Sequence, residues 1–131
     1  MQKIILMAST ASFLNTVKLD HAVWKNQIYS AIDTENYQFT VNDHTQCRLG
    51  EWYYRGAGAS EYVSLSNFKS IEKPHENVHL SGKAALHAAA SGDKTQTLKM
   101  LSAMEEASLQ VVSAIDTLLD EYFTQVHRYS K

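Results

Sequence analysis

The most regular pattern in this chain lies at residues 94–126, KTQTLKMLSAMEEASLQVVSAIDTLLDEYFTQV. Apolar or small side chains recur there at alternating steps of three and four residues, which places them on one face of an α-helix. The pattern predicts a long helix from about Lys94 to Val126 or beyond. Its buried stripe comprises Leu101, Met104, Ser108, Val111, Ile115, Leu118 and Tyr122, and it is widened by Leu98, Val112 and Leu119.

A second stripe of the same kind lies near the start of the chain. Its steps of three and four residues predict a bundle helix from about Lys3 to Ile32, ended by the polar residues 33–36. The short apolar patch before residue 9 is too short for a signal peptide and continues this helical pattern, so we interpret it as structure. The stripe comprises Leu14, Val17, His21, Trp24 and Ile28.

Between these helices the pattern changes twice. Asn42 or Asp43 is a suitable cap for a short helix that begins near His44 and carries Cys47. Residues 55–60, RGAGAS, predict a loop. A third long helix is predicted from about residue 61 to 90, with Pro74 inside it, so that either a kink forms or a new helix begins there. Its predicted stripe comprises Leu65, Phe68, Ile71, His75, Val78, His79, Gly82 and Leu86.

Composition supports an all-α fold of one domain over residues 1–131. The chain has 131 residues, 44% of them hydrophobic, with one proline and five glycines. A four-helix bundle, with one short helix carrying the cysteine, buries these stripes economically. The net charge of −2 gives no sign of a nucleic-acid or membrane-surface partner, and no apolar run approaches the length of a membrane span.

Four side chains form a candidate metal site. His75 and His79 are one helical turn apart on one face, and His21 lies on the buried stripe of another helix. The single cysteine, Cys47, excludes an internal disulfide and indicates a reducing compartment. Zn²⁺ accepts imidazole and thiolate together in a closed tetrahedral shell. We therefore predict that these four residues converge on one zinc ion, although a lone cysteine is also a common buried apolar residue.

The surroundings of this site are less determined by the sequence. A helix N-terminus lowers a thiol pKa, so we expect Cys47 to ionise readily. One thiolate leaves the site with net positive charge, so a carboxylate is expected nearby, with Asp20 and Glu76 as candidates. Trp24 and Trp52 are expected to pack beside the site. His44 is an alternative ligand, disfavoured because four better ligands exist.

Residues 75–79 also match the pattern H-E-x-x-H of zinc proteases. That chemistry needs an open coordination position with a bound water. Here a third histidine and a cysteine are available to close the shell, and the chain is small and without evident β-structure. We therefore expect that the protein is not an enzyme, with a small zinc hydrolase as the alternative.

Three motifs together resemble the chemoreceptor zinc-binding domain family. The segments are LDHAVWK at residues 19–25, CRLGEWY at residues 47–53 and PHENVH at residues 74–79. The resemblance covers roughly residues 13–90 and implies that His21, Cys47, His75 and His79 bind zinc. It also implies a cytoplasmic bacterial signalling domain that is attached to chemotaxis receptors or diguanylate cyclases and often forms homodimers. In some members the zinc-bound cysteine reacts with oxidants such as hypochlorous acid, which makes Cys47 a candidate redox sensor.

Overall fold

The structure is a computed structural model that describes residues 2–38 and 40–129, with side chains described within 8–38 and 40–125. The predicted domain at 1–131 therefore includes residues 1, 39, 130 and 131, which lie outside the described residues. Four α-helices carry the fold: α1 Gln2–Asp33, α2 Arg48–Tyr54, α3 Glu72–Ala90 and α4 Lys94–Tyr129. The described residues contain no β-strand. The predicted all-α bundle is confirmed.

The two most extensively packed helices, α3 and α4, form an antiparallel hairpin. Gly92 turns the chain between them with φ of 76°, a left-handed conformation that glycine adopts without strain. The Asp93 carboxylate then accepts a 3.0 Å hydrogen bond from the Gln96 amide and caps α4. Residues 91–93 thus form the connection, and the hairpin that they close supports the third long helix, α1.

Helix α1 runs antiparallel to α4. Lys18 and Lys25 of α1 form ion pairs with Asp116 and Glu105 of α4 at 2.6 and 2.7 Å. All five residues of the predicted α1 stripe are buried. The stripe of α4 is buried at Met104, Ser108, Val111, Ile115, Leu118 and Leu119 and partly buried at Leu101, Val112 and Tyr122, but Leu98 is 68% exposed, so the prediction for that residue is wrong. Leu98 lies on the same side of α4 as Leu109, three turns further along, which is 73% exposed, whereas its neighbour Thr97 is buried; Leu98 therefore faces away from the covered stripe.

The predicted start of the second helix is wrong by about four residues. Asp43 initiates a turn, because its carboxylate accepts hydrogen bonds from the Thr45 amide and hydroxyl. The helix itself begins at Arg48, and its N-cap is Cys47. The backbone of Thr45 lies so close to Gly50 that a Cβ there would be 2.8 Å from the Thr45 Cα. This close contact holds the 44–46 turn against the first turn of α2.

The predicted helix over residues 61–90 is regular only in its second part. A π-helical turn at Gly58–Tyr62 and a 3₁₀ turn at Lys69–Ile71 precede α3. Pro74 lies in the first turn of α3, where a missing amide proton costs nothing, so the second alternative for Pro74 is confirmed. The Glu121 carboxylate of α4 accepts hydrogen bonds from the amides at 66 and 67 and holds the irregular segment in place.

None of the described helices combines the length and the apolar character that crossing a lipid bilayer requires.

Candidate metal centre

Three histidines meet in the core of the bundle, between α1 and α3. His21 comes from the buried stripe of α1, and His75 and His79 come from successive turns of α3. The ring centre of His21 lies 4.9 Å from that of His75 and 5.7 Å from that of His79. All three side chains are at most 6% exposed. Helical spacing therefore produces the predicted cluster of imidazoles.

Cys47 adds a sulfur to this cluster from the start of α2. Its Sγ lies 3.1 Å from Nε2 of His75 and 3.9 Å from Nε2 of His21. One donor atom from each of the four residues lies within 4.8 Å of the others. A tetrahedral zinc ion with bonds of about 2.0–2.3 Å holds its donors roughly 3.3–3.8 Å apart. The Sγ–Nε2 distances of 3.1 and 3.9 Å lie close to that range.

The hydrogen bonding of His79 fits a metal ligand. Its Nδ1 lies 2.8 Å from the backbone carbonyl of Asn42, which only accepts hydrogen bonds, so Nδ1 carries the proton. Its Nε2 is buried and has no hydrogen-bond partner among the described residues. A buried nitrogen without a partner is costly in a protein core, whereas a lone pair held in this orientation is what a metal ion requires.

A model of the chemoreceptor zinc-binding domain matches residues 21–86, half of the chain, and the match includes all four donor residues. The chain belongs to the chemoreceptor zinc-binding domain family. Zinc is therefore its cofactor, and a zinc-binding signalling domain is its general role. No curated protein and no solved structure matches the chain.

Burial controls the protonation of the imidazoles in this zinc-binding domain. Removal from water, the larger cause, and the charge of neighbouring imidazoles together lower the pKa of His21 to about 4 and that of His75 to about 2. Burial also lowers the pKa of His79. All three rings are thus neutral near pH 7, which is the form that binds metal.

The thiol of Cys47 differs from the sequence prediction. The amides of Gly50 and Leu49 at the start of α2 lower its pKa, as expected for a helix N-terminus. Burial opposes them and is the larger effect, so the pKa of the Cys47 thiol is raised. The expectation of a readily ionised thiol is therefore wrong for the metal-free chain, because a largely desolvated sulfur holds its proton.

Of the two carboxylate candidates, Asp20 shares a cavity with donor residues, and Glu76 lies beside His44. Together with His21 and Cys47, Asp20 lines a surface cavity of about 270 Å³, and its charge raises the Cys47 pKa slightly. Its Oδ2 lies 3.2 Å from Nε of Arg48. Glu76 instead lies 3.6 Å from Nε2 of His44, so these two residues face each other beside the cluster.

The two tryptophans have different positions. Trp24 lies against His79, with ring centres 4.5 Å apart, as expected for a residue beside the site. Trp52 lies instead in an aromatic cluster with Phe13 and Tyr62. Trp52 follows Cys47 by five residues, and side chains five residues apart on an α-helix point about 140° apart. Trp52 therefore faces away from the cluster, which explains its different neighbours.

The sequence analysis missed two contributors to the site. The Asn42 carbonyl that orients His79 is a backbone atom, and no residue type marks such a role. Gly82, which lies beside Trp24, was placed on the buried stripe without a specific role. A glycine inside a strongly helical segment is a recognisable signal of close packing, and it could have indicated this contact.

Proposed function

We propose that this domain holds one Zn²⁺ through Nε2 of His21, His75 and His79 and Sγ of Cys47, and that it regulates a bacterial signalling protein according to the state of this site. The convergence of four zinc-type donors within 4.8 Å carries the proposal. They come from three segments separated by 26 and 28 residues. Four protein donors form a closed shell of the kind found in structural zinc sites.

The placement of the ligands defines what the metal joins. Helices α3 and α4 pack extensively on each other, and α4 contributes none of the four donors. The ion would connect α1 and the start of α2 to that hairpin and supply folding free energy there. A change in metal occupancy then changes how α1 is held, and an attached output domain of a chemotaxis receptor or a diguanylate cyclase would respond to it.

Metal analysis of the purified chain tests this proposal. We expect one zinc per chain, a lower melting temperature after chelation, and loss of most zinc affinity in Cys47→Ser and His79→Ala. His87→Ala is the matched control, because His87 is an exposed histidine on the same helix. A chain without zinc whose melting temperature ignores chelator would refute the proposal.

Oxidant sensing at Cys47 is a second candidate function. Cys47 is partly exposed and lines the cavity of about 270 Å³, so a small oxidant has a route to the sulfur. Zinc coordination keeps a thiol deprotonated. Thiolate and hypochlorous acid then yield sulfenic acid and chloride, and the oxidised sulfur is a poorer ligand. Mass spectrometry after one equivalent of oxidant should find an added oxygen on the Cys47 peptide, and an unmodified peptide refutes this function.

Two contacts support a role without catalysis. Glu76, the residue that would serve as general base in a zinc protease, lies 3.6 Å from His44 and 3.5 Å from Lys73. A fourth protein ligand from Cys47 would close the metal shell and leave no position for a reactive water. We expect the zinc-loaded protein to show no peptidase or esterase activity above that of the chelator-treated protein.

We further propose that the domain is cytoplasmic and forms a homodimer. Leu19 and Val23 lie one turn apart on α1 and are 68% and 57% exposed, an apolar strip of the kind that often lies in an interface. Light scattering should give twice the chain mass, and Leu19→Lys with Val23→Glu should give the monomer mass. A monomeric unaltered chain contradicts this part of the proposal.

A further inference from the structure

Trp24 and Gly82 meet where α1 crosses α3. Trp24 follows the proposed ligand His21 by three residues, and Gly82 follows the proposed ligand His79 by three residues. The indole is 7% exposed and its ring centre lies 4.5 Å from that of His79. The contact between Trp24 and Gly82 is thus one helical turn from the metal centre on both helices.

The indole occupies the space that a side chain at position 82 would need. A Cβ at Gly82 would lie 2.7 Å from Cζ3 of Trp24 and still closer to Cη2. Sδ of the fully buried Met104 would be 3.3 Å away on the α4 side. The missing side chain therefore allows the outer edge of the indole to lie directly on the backbone of α3.

We propose that Trp24 and Gly82 are positioning residues of the metal centre: the indole, resting on the glycine, sets the separation of α1 and α3 at which His21 reaches the same ion as His75 and His79. This inference rests on the proposed zinc site. The His21 and His75 ring centres are 4.9 Å apart across this crossing. The separation of two whole helices thus decides whether both histidines bind one ion.

The size of the steric conflict indicates the consequence of a substitution. Carbon atoms in contact are about 3.5–4.0 Å apart, so a methyl group at position 82 pushes the indole edge away by roughly 1 Å. Close-packed cores transmit such displacements instead of absorbing them. Metal–ligand bonds tolerate only about 0.2 Å. A displacement of α1 by a fraction of this push is enough to weaken the bond to His21.

The test compares Gly82→Ala with Trp24→Phe/Gly82→Ala. Zinc affinity is measured by competition with a chromophoric chelator, and the ligand geometry by the visible absorption of the Co²⁺-loaded protein. We expect Gly82→Ala to bind zinc about 10–100-fold more weakly, the range for groups that support metal ligands, and to lose tetrahedral cobalt absorption. Phenylalanine lacks the outer ring edge that meets the new methyl group, so the double variant should recover most of the affinity and the spectrum.

The control is Ser81→Ala, which raises helix propensity on the same turn and should bind both metals like the unaltered chain. Unaltered affinity and cobalt spectrum in Gly82→Ala would overturn the inference. A double variant that binds zinc no better than Gly82→Ala would also overturn the inference. If Gly82→Ala is unfolded, a double variant that is unfolded as well would overturn it too, because relief of the contact must restore the site. If the unaltered chain itself binds no zinc, the proposed function fails, and this outcome is distinct from all of these.

Discussion

Acidification should destabilise the metal-free protein, because its core holds three imidazoles that stay neutral when folded. Burial, the largest cause, lowers the pKa of His21 to about 4 and that of His75 to about 2, and it lowers the pKa of His79 as well. In the unfolded chain the same groups titrate near 6.5. Below that pH the unfolded chain therefore binds more protons than the folded chain, and the free energy of unfolding falls as the pH falls.

The magnitude follows from these pKa values. Between pH 7.5 and 5.5, a group that shifts from 6.5 to about 4 or lower removes about 1.3 kcal/mol from the free energy of unfolding. His21 and His75 together remove about 2.6 kcal/mol, and His79 contributes in the same direction. The loss continues below pH 5.5, for His21 down to about pH 4. At pH 5.5 most carboxylates are still ionised, so the histidines dominate this interval.

Urea unfolding in the presence of a strong chelator, followed by circular dichroism at the two pH values, measures this loss. His87→Gln is the control: His87 is exposed on α3, and its removal should leave the loss unchanged. His21→Leu keeps an apolar residue on the buried stripe of α1 and should reduce the loss by about 1.3 kcal/mol. Equal or greater stability at pH 5.5 would refute the reasoning, because it would mean that the imidazoles are accessible to protons in the folded metal-free chain.

Two further predictions concern the connections that hold the site. Glu121→Gln removes the charge of a carboxylate that accepts hydrogen bonds from Ser66 and Asn67. In a urea titration it should lower the free energy of unfolding by about 1 kcal/mol, whereas the control Asp120→Asn should have little effect. Asp43→Ala removes the acceptor of the Thr45 amide next to the Asn42 carbonyl, and it should weaken zinc binding several-fold in a chelator competition; an unchanged affinity would show that the turn does not hold the carbonyl on His79.

The long helices could be predicted from the sequence because each buries a continuous stripe. In α1 and α4 the spacing of apolar residues extends over several turns, and burial follows it closely. The exception, Leu98, lies off the buried face of α4: the buried residue at its level is Thr97, a polar residue that an apolar pattern does not mark. Periodicity identifies the face of a helix that is buried, whereas the coverage of each turn depends on the neighbouring helices.

The segment between α1 and α3 was predicted less well, for local reasons. Asp43 has the chemistry of a helix cap, and here it caps a turn of the backbone instead. The true cap, Cys47, is not a residue that capping preferences favour, and its sulfur accepts only a long hydrogen bond of 3.5 Å from Gly50. The N-cap position of α2 is thus occupied by a metal-binding residue type, and not by one of the residue types that helix-capping preferences predict.

The metal-binding residues of the candidate site were predictable, because their chemistry depends on residue type. The contacts that orient these residues and set their protonation do not depend on residue type and were not predictable. Three histidines and a cysteine are visible in the sequence, and helical spacing places two of the histidines together. The tautomer of His79 depends on the backbone of Asn42, and the pKa of Cys47 depends on a balance of burial against the amides of α2. Both depend on distances between segments that are far apart in sequence, and a sequence pattern does not specify those distances.

The same distances predict that metal binding and folding depend on each other here. A bundle core that consisted only of apolar side chains would hold α1 without help, but this core contains three nearly inaccessible imidazoles at the contact of α1 with α3. Each imidazole buries a polar nitrogen, and for His79 the ring nitrogen that faces the cluster has no partner among the described residues. Such nitrogens weaken the attachment of α1 unless a cation binds them. Because the hairpin of α3 and α4 has its own extensive packing, we expect the position of α1 to depend on zinc more than that of either hairpin helix.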